Sequence, residues 1–497
     1  MYIVRWLHNQ ISRPDKEVAP PLDTNNFVKM KYLSLLLLVV ILFLSNVSVS
    51  QTETIDLQIF SVDELKEDFA FWRNRIEQKH PLVYLYATKN EIDRGFDSLY
   101  QQIDQPMTEL DFIKILSPIT SLIQDGHTYV IPSEMALGQI KMYNYLFPLE
   151  LKFINERLYV TQDGSSSGVP LTGMEITSIN AVSSKDMLSV FLTNLGRDGS
   201  NLQHAYATIN KSFRHYFHTY FGFTKEFILT YRTMENVDST CVIMGKSLAS
   251  IQNVRLSRYP MVNISSTSNL QVTHIDSIQT AVLRIQTFSP DASNVKFKRV
   301  ISNFFESIEK SNVENLIIDL RDNGGGNPNL VKFILQHLFD ESFEQAMECR
   351  IVQKSSEDIF SERTRKKWYP WYGIGSFKPK KNNFKGNLYV LVNEGTFSAG
   401  VIFSSVLRKY NRAVFVGNET GGNPIIMAGY LVKTSWKLPN TKIQMGSGTL
   451  CTIYDDIHRN QGRGLVPDYI VKPASEDILS IHDRCLHYTL EIIRDSN

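Results

Sequence analysis

A chain of 497 residues with 43% apolar and 11% aromatic residues has room for about three domains and material for their cores. That composition excludes a disordered chain, a collagen-like fibre and a coiled coil. Lys and Arg number 52 against 51 Asp and Glu, a formal net charge of +1, which argues against a dedicated nucleic-acid binder.

The amino terminus reads as a targeting segment. Leu33 to Leu44 contains one serine and no charge, with Met30-Lys31 before it and Ser48-Val49-Ser50 after it. A positive flank, a short apolar run and small residues at −3 and −1 predict a secretory signal cleaved before Gln51. The run falls short of the about 20 residues that a membrane span needs. The polar first 29 residues fit a signal poorly, and point to a start at Met30. The rival is an uncleaved anchor with residues 1–31 in the cytoplasm; length and flanks favour cleavage. The expectation is therefore an exported protein, periplasmic or extracellular, with no stable membrane contact once the signal is removed. Export would let Cys241, Cys349, Cys451 and Cys485 pair in three ways. Scattered buried thiols are the simpler reading. No Cys or His spacing indicates a metal site.

Residues 51–144 are predicted as a helical cap. Leu65, Phe69, Trp72 and Ile76 form one stripe, with Ser61 and Glu64 as a capping box. Ile92, Phe96, Leu99 and Ile103 form a second, and Leu110 to Ile119 a third. Asp125-Gly-His127-Thr follows.

Residues 145–270 turn β-rich, with strand patterns at Leu149–Phe153, Arg157–Val160 and Glu226–Tyr231. The run Gly173-Met-Glu-Ile-Thr-Ser-Ile-Asn180 resembles a signature of PDZ domains, with Ala181 where the last glycine usually stands. Such domains bind peptides by adding a strand to a sheet edge.

Residues 271–497 alternate strand and helix. Strands are predicted at Ala281–Ile285, Leu316–Leu320, Leu388–Val392 and Val414–Val416. Helices are predicted over 295–310, through Leu330–Leu338 and through Val401–Leu407. This spacing predicts βαβ units and a largely parallel sheet.

Three segments carry chemistry. Asp319-Leu-Arg-Asp-Asn-Gly-Gly-Gly326 places glycines just after a buried strand, where backbone N–H groups can converge on an anion. It lacks the GK[ST] of a phosphate loop and the GxGxxG of a dinucleotide fold. In Glu394-Gly-Thr-Phe-Ser-Ala-Gly400, Ser398 stands between a strand and an apolar helix. It suits either an N-cap or a nucleophile in the helix dipole. His127 is of the type that activates a serine at neutral pH.

Together these segments resemble the tail-specific (carboxyl-terminal-processing) serine peptidases, tricorn-like branch. The likeness runs through Asp319–Gly326, Thr396–Ala399, Gly417–Gly422 and Gly464-Leu-Val-Pro-Asp468, over about residues 60–475. It implies an α/β fold with a ClpP/crotonase-like catalytic core, an N-terminal helical region and a PDZ-like insert. It also implies a peptidase without a cofactor, acting on peptides or unfolded proteins. One catalytic design of the family places Lys 25 residues after Ser; that position is Asn423, which cannot accept the proton. The other takes a His from the N-terminal region. The resemblance therefore implies Ser398 as nucleophile and His127 as base. Oxyanion donors would be the N–H groups of Ala399 and of Gly325 or Gly324. Gln461 occupies the place of the orienting glutamate, and Asp455 or Asp456 is the nearby carboxylate that would substitute. Gly126 replaces the serine that precedes the histidine in tricorn.

Between Arg363 and Lys385 lie eight basic residues and no acid, interleaved with Trp368, Tyr369, Trp371 and Tyr372. The readings are a solvated loop, or a lid near the active site that favours an anionic group on the substrate. Nucleic acid is disfavoured by the neutral total charge. Two functional alternatives stay open: a non-catalytic peptide- or ligand-binding protein on the same scaffold, and an esterase. An acyl-CoA enzyme is disfavoured by export.

Overall fold

The computed structural model describes residues 55–233, 235–259, 269–290, 293–353, 363–430, 435–480 and 482–496. The predicted signal segment and its alternative anchor lie outside the described residues. Among the described residues no helix is long and apolar enough to cross a membrane. The described residues belong to one compact unit.

The first helix runs Val62–Lys79 behind a Ser61/Glu64 capping box, as the sequence predicts. It buries Leu65, Phe69, Trp72 and Ile76. Lys89–Tyr100, Glu109–Leu116 and Pro118–Ile123 follow, the last two separated where Pro118 begins a new helix. Their apolar faces do not form a core alone. They share one with Ile426, Ala428, Ile443, Met445 and Ile453 from far along the chain. Tyr129–Ile131 pairs with Gln444–Gly446, stitching the same two regions together through backbone.

Leu149–Ile154, Arg157–Asp163, Glu175–Ile179, Val182–Ser183, Glu226–Arg232 and Asp238–Met244 form an antiparallel sheet. The helical segment Gln203–Phe221, kinked at Ser212, packs on it and is absent from the sequence reading. Its tyrosines and phenylalanines read as β-prone, yet Ile209, Phe213 and Phe217 recur at helical spacing and are buried.

The central sheet has the order Leu270–Ile275, Thr280–Ile285, Asn315–Asp319, Asn387–Val392, Val414–Gly417 and Tyr469–Ile470. Only the first pair is antiparallel. Helices Asn294–Lys310, Pro328–Leu335 and Ala399–Lys409 cover one face with Phe, Ile, Leu and Val. Asn315–Asp319 is buried throughout, the apolar pattern of a strand covered on both faces. This is the mixed α/β architecture expected. A second sheet of Thr364–Lys367, Glu348–Val352, Leu450–Ile453 and Ile426–Gly429 is antiparallel, and escaped the sequence reading because its strands are short.

The four cysteines are unpaired; Cys349, Cys451 and Cys485 are buried. Arg363, which opens the basic stretch, is fully buried. Its Nη2 donates to the carbonyls of Glu77 and His80, 2.6 and 2.9 Å away, where the first helix ends. Lys366 pairs with Glu348. The start of this stretch is thus a pinned strand rather than a solvated loop.

Candidate active site

Ser398 and the glycine turn sit at the carboxyl ends of neighbouring parallel strands, where an open α/β sheet forms a crevice. Asn323 ties them together. Its carbonyl accepts from Phe397 N–H at 2.9 Å, and its Nδ2 donates to Ile285 O at 2.8 Å. Thr396 Oγ1 donates to Leu320 O at 2.8 Å. Ser398 itself has φ 49° and ψ −121°, a conformation rarely taken by a residue with a Cβ. Its side chain does not cap the helix that begins at Ala399. The Oγ instead lies 3.1 Å from His127 Nε2.

Gly325, with φ 103°, has no room for a side chain: a Cβ there would stand 2.6 Å from Ser398 Cβ and 2.7 Å from Ala399 N. Its N–H, expected as an oxyanion donor, is instead given to Asn323 Oδ1 at 2.9 Å. This Asx-type turn fixes the loop and removes that donor. The N–H groups of Ala399 and Gly324 have no hydrogen-bond partner among the described residues. Open space faces Gly324.

His127 arrives from the other end of the chain and is 3% exposed. Tyr430 Oη donates to its carbonyl at 2.9 Å, and its ring lies 4.6 Å from that of Phe397. Phe397 stacks on its other side against His204, at 3.8 Å. Burial, then the neighbouring His127, lowers the His204 pKa to about 4. Gly126 admits no side chain, since a Cβ would stand 2.8 Å from Phe397 Cζ. Its N–H donates to Asp198 Oδ1 at 2.8 Å, and Asn423 N–H donates to Asp198 Oδ2 at 2.9 Å. Burial, followed by the negative charge of Asp125, raises the Asp198 carboxyl to about 6.

The groups gathered around His127 are not those expected from sequence. Gln461 is exposed. Asp455 pairs with Arg459 at 3.0 Å, and Asp456 caps the short turn Ile457–Arg459. The carboxylates beside His127 are Asp125 and Asp198, each 4% exposed. Asp125 Oδ1 lies 3.8 Å from His127 Nδ1, too long for a hydrogen bond, and this Nδ1 is buried without a partner. Their only sequence signal was Asp125 within the Asp-Gly-His motif; Asp198 had none. Asp125, His127 and Asp198 offer ligand atoms within 4.8 Å of one another. Asp198 already accepts two backbone N–H groups there.

Asn423 is buried, with Nδ2 on Asn460 Oδ1 at 2.7 Å and Oδ1 receiving Ile425 N–H at 2.8 Å. It is a structural amide. The basic stretch reaches the site indirectly: the Tyr372 hydroxyl donates to Tyr430 O, and Tyr430 borders His127.

A "Probable CtpA-like serine protease" of Staphylococcus aureus (strain N315) is 24% identical over 200 residues, 40% of this chain and 35% of that protein. Its Staphylococcus epidermidis counterpart is 23% identical over 210 residues, 39% and 38% of the two chains. The chain thus spans little more than a third of the curated relatives it matches. Mature CPAF has the same fold: TM-score 0.60 at 14% identity, covering 84% of this chain and 94% of that one. Its complex with lactacystin gives 0.61 at 16% identity, covering 88% and 97%. Residues 279–471 match the model of Peptidase family S41.

Proposed function

We propose that the protein is an exported serine endopeptidase that hydrolyses peptides or unfolded proteins through an acyl-enzyme. In this reading the central sheet is a ClpP/crotonase-like core and the antiparallel sheet of residues 149–244 is a PDZ-like module. The observation that carries the reading is the 3.1 Å contact between Ser398 Oγ and His127 Nε2, with Ser398 uncapped at a helix start.

His127 Nε2 takes the Oγ proton as Ser398 attacks the scissile carbonyl. The oxyanion is met by the N–H groups of Ala399 and Gly324, with Gly325 serving as the spacer that lets them converge. As the tetrahedral species collapses, the amine leaves with the proton from His127 Nε2. A water then gives its proton to Nε2 and attacks the acyl ester. The acid product departs and Ser398 recovers its proton.

The test is pre-steady-state hydrolysis of an activated ester beside turnover of an unstructured protein. A stoichiometric burst with wild type, absent in Ser398→Ala and His127→Ala, supports the reading. Ester turnover without any peptide cleavage would make the protein an esterase. Neither activity would leave a binding protein.

A further inference from the structure

We propose that Asp125, fixed from behind by His80, orients and electrostatically supports His127, so that the working unit is Ser398–His127–Asp125–His80. This rests on the peptidase reading and supplies the third member that Gln461, Asp455 and Asp456 do not.

His127 Nδ1 is buried without a partner, and a buried N–H left so is costly. Among the described residues Asp125 is the only carboxylate in ion-pair contact with His127. Catalytic hydrogen bonds are often long in an empty site and tighten when substrate fills it. The 3.8 Å separation requires only a small shift of the His127 ring.

Asp125 is held for that purpose. Leu82 N–H donates to His80 Nδ1 at 3.0 Å, so neutral His80 carries its proton on Nε2. That Nε2 lies 3.0 Å from Asp125 Oδ2, which also receives the Thr128 hydroxyl at 2.7 Å. With Oδ2 occupied, Oδ1 faces His127. Arg363, bound to the His80 carbonyl, anchors the far end. Burial alone would raise the Asp125 carboxyl; the two imidazoles outweigh it and keep the group ionised. Asp198 is not equivalent, because both its oxygens hold backbone N–H groups. During acylation the Ser398 proton moves to His127 Nε2. The Nδ1 proton stays in place and bonds to Asp125 Oδ1, and His80 keeps its own.

The experiment is the rate at which a fluorophosphonate phosphonylates Ser398 in the full chain, with loss of fluoride, followed across the pH range of histidine titration. The proteins are wild type, Asp125→Asn, His80→Ala, His80→Gln and Gln461→Ala. Asp125→Asn is expected to lose roughly 10²–10⁴-fold. His80→Ala is expected to lose about tenfold, with its acid limb moved to higher pH, because Asp125 has lost a donor. His80→Gln, whose amide N–H can replace Nε2–H, recovers both rate and profile. Gln461→Ala stays at the wild-type rate. A folded Asp125→Asn within about threefold of wild type would overturn the proposal while the peptidase reading stands. Equal losses in His80→Ala and His80→Gln without a pH shift would remove His80 from the unit. Absence of Ser398 labelling in wild type would overturn both readings. One check needs no variant: wild type modified at Ser398 should show a strongly deshielded His127 Nδ1 proton by NMR, and its absence contradicts the proposal.

Discussion

Ser398 is held by backbone, whereas His127 is held by buried side chains. On the nucleophile side, a positive-φ serine, a glycine with no room for a Cβ and the carbonyl of Asn323 fix the geometry within residues 279–471. On the base side, His80, Asp125 and Thr128 bond to one another in the interior, and buried Asp198 accepts the backbone N–H groups of Gly126 and Asn423. The first arrangement is stiff and local. The second joins parts of the chain far apart in sequence, and its strength depends on protonation. Changes on the nucleophile side should therefore act equally at every pH, and changes on the base side should move pH profiles.

The largest expected effect is at Ser398 itself. Ser398→Gly should lower turnover roughly 10⁶-fold. It should also unfold at higher denaturant than Ser398→Ala, by about 1 kcal/mol, since glycine relieves the φ of 49°. Equal stability of the two variants would show that the serine carries no strain. Gly325→Ala comes next. Its Cβ would press on Ser398 and Ala399 N, so kcat should fall about 10²–10³-fold with stability lower by about 3 kcal/mol. Both losses should be constant with pH.

Asp198→Asn is expected to act differently. Above about pH 6 the ionised Asp198 adds a second negative charge near His127 and favours its protonated form. Removing that charge should move the acid limb of kcat/KM down by about half a pH unit; an upward move would contradict this. The same group gives a stability signature. Its folded pKa is raised, so its contribution is full below the unfolded value near 3.8 and is lost as pH rises through about 6. Chemical denaturation of wild type across that window, compared with Asp198→Asn, reads the difference. The smallest effect lies far from the site. Asn180 and Ala181 have φ of 49° and 66° in the turn joining Glu175–Ile179 to Val182–Ser183. Ala181→Gly should stabilise by about 0.5–1 kcal/mol with unchanged kcat.

The same contrast explains what the sequence disclosed. The central strands and their helices were legible because buried parallel strands read as apolar runs and amphipathic helices repeat every three to four residues. The glycine turn and Ser398 were legible because their backbone geometry demands particular residues in a row. Even there the sequence leaves Gly325 and Gly324 open as the second oxyanion donor, since a side chain two positions back that captures the Gly325 N–H leaves no distinct pattern. The helix Gln203–Phe221 was hidden by its aromatic composition. The surroundings of His127 were the least legible part. Polar groups that meet inside a core have neither period nor fixed spacing, so nothing in the strings around His80 and Asp198 announces that they converge. The family resemblance points instead to 455–461, where Gln461 is exposed and Asp455 is occupied by Arg459.

The most direct test of the central claim, that the two sides form one catalytic pair, is mapping of a fluorophosphonate adduct on the folded protein, with His127→Ala beside it. The account predicts a single adduct on Ser398 in wild type and none in His127→Ala over the same time. An adduct formed equally fast without His127, or no adduct on Ser398 at all, would contradict it.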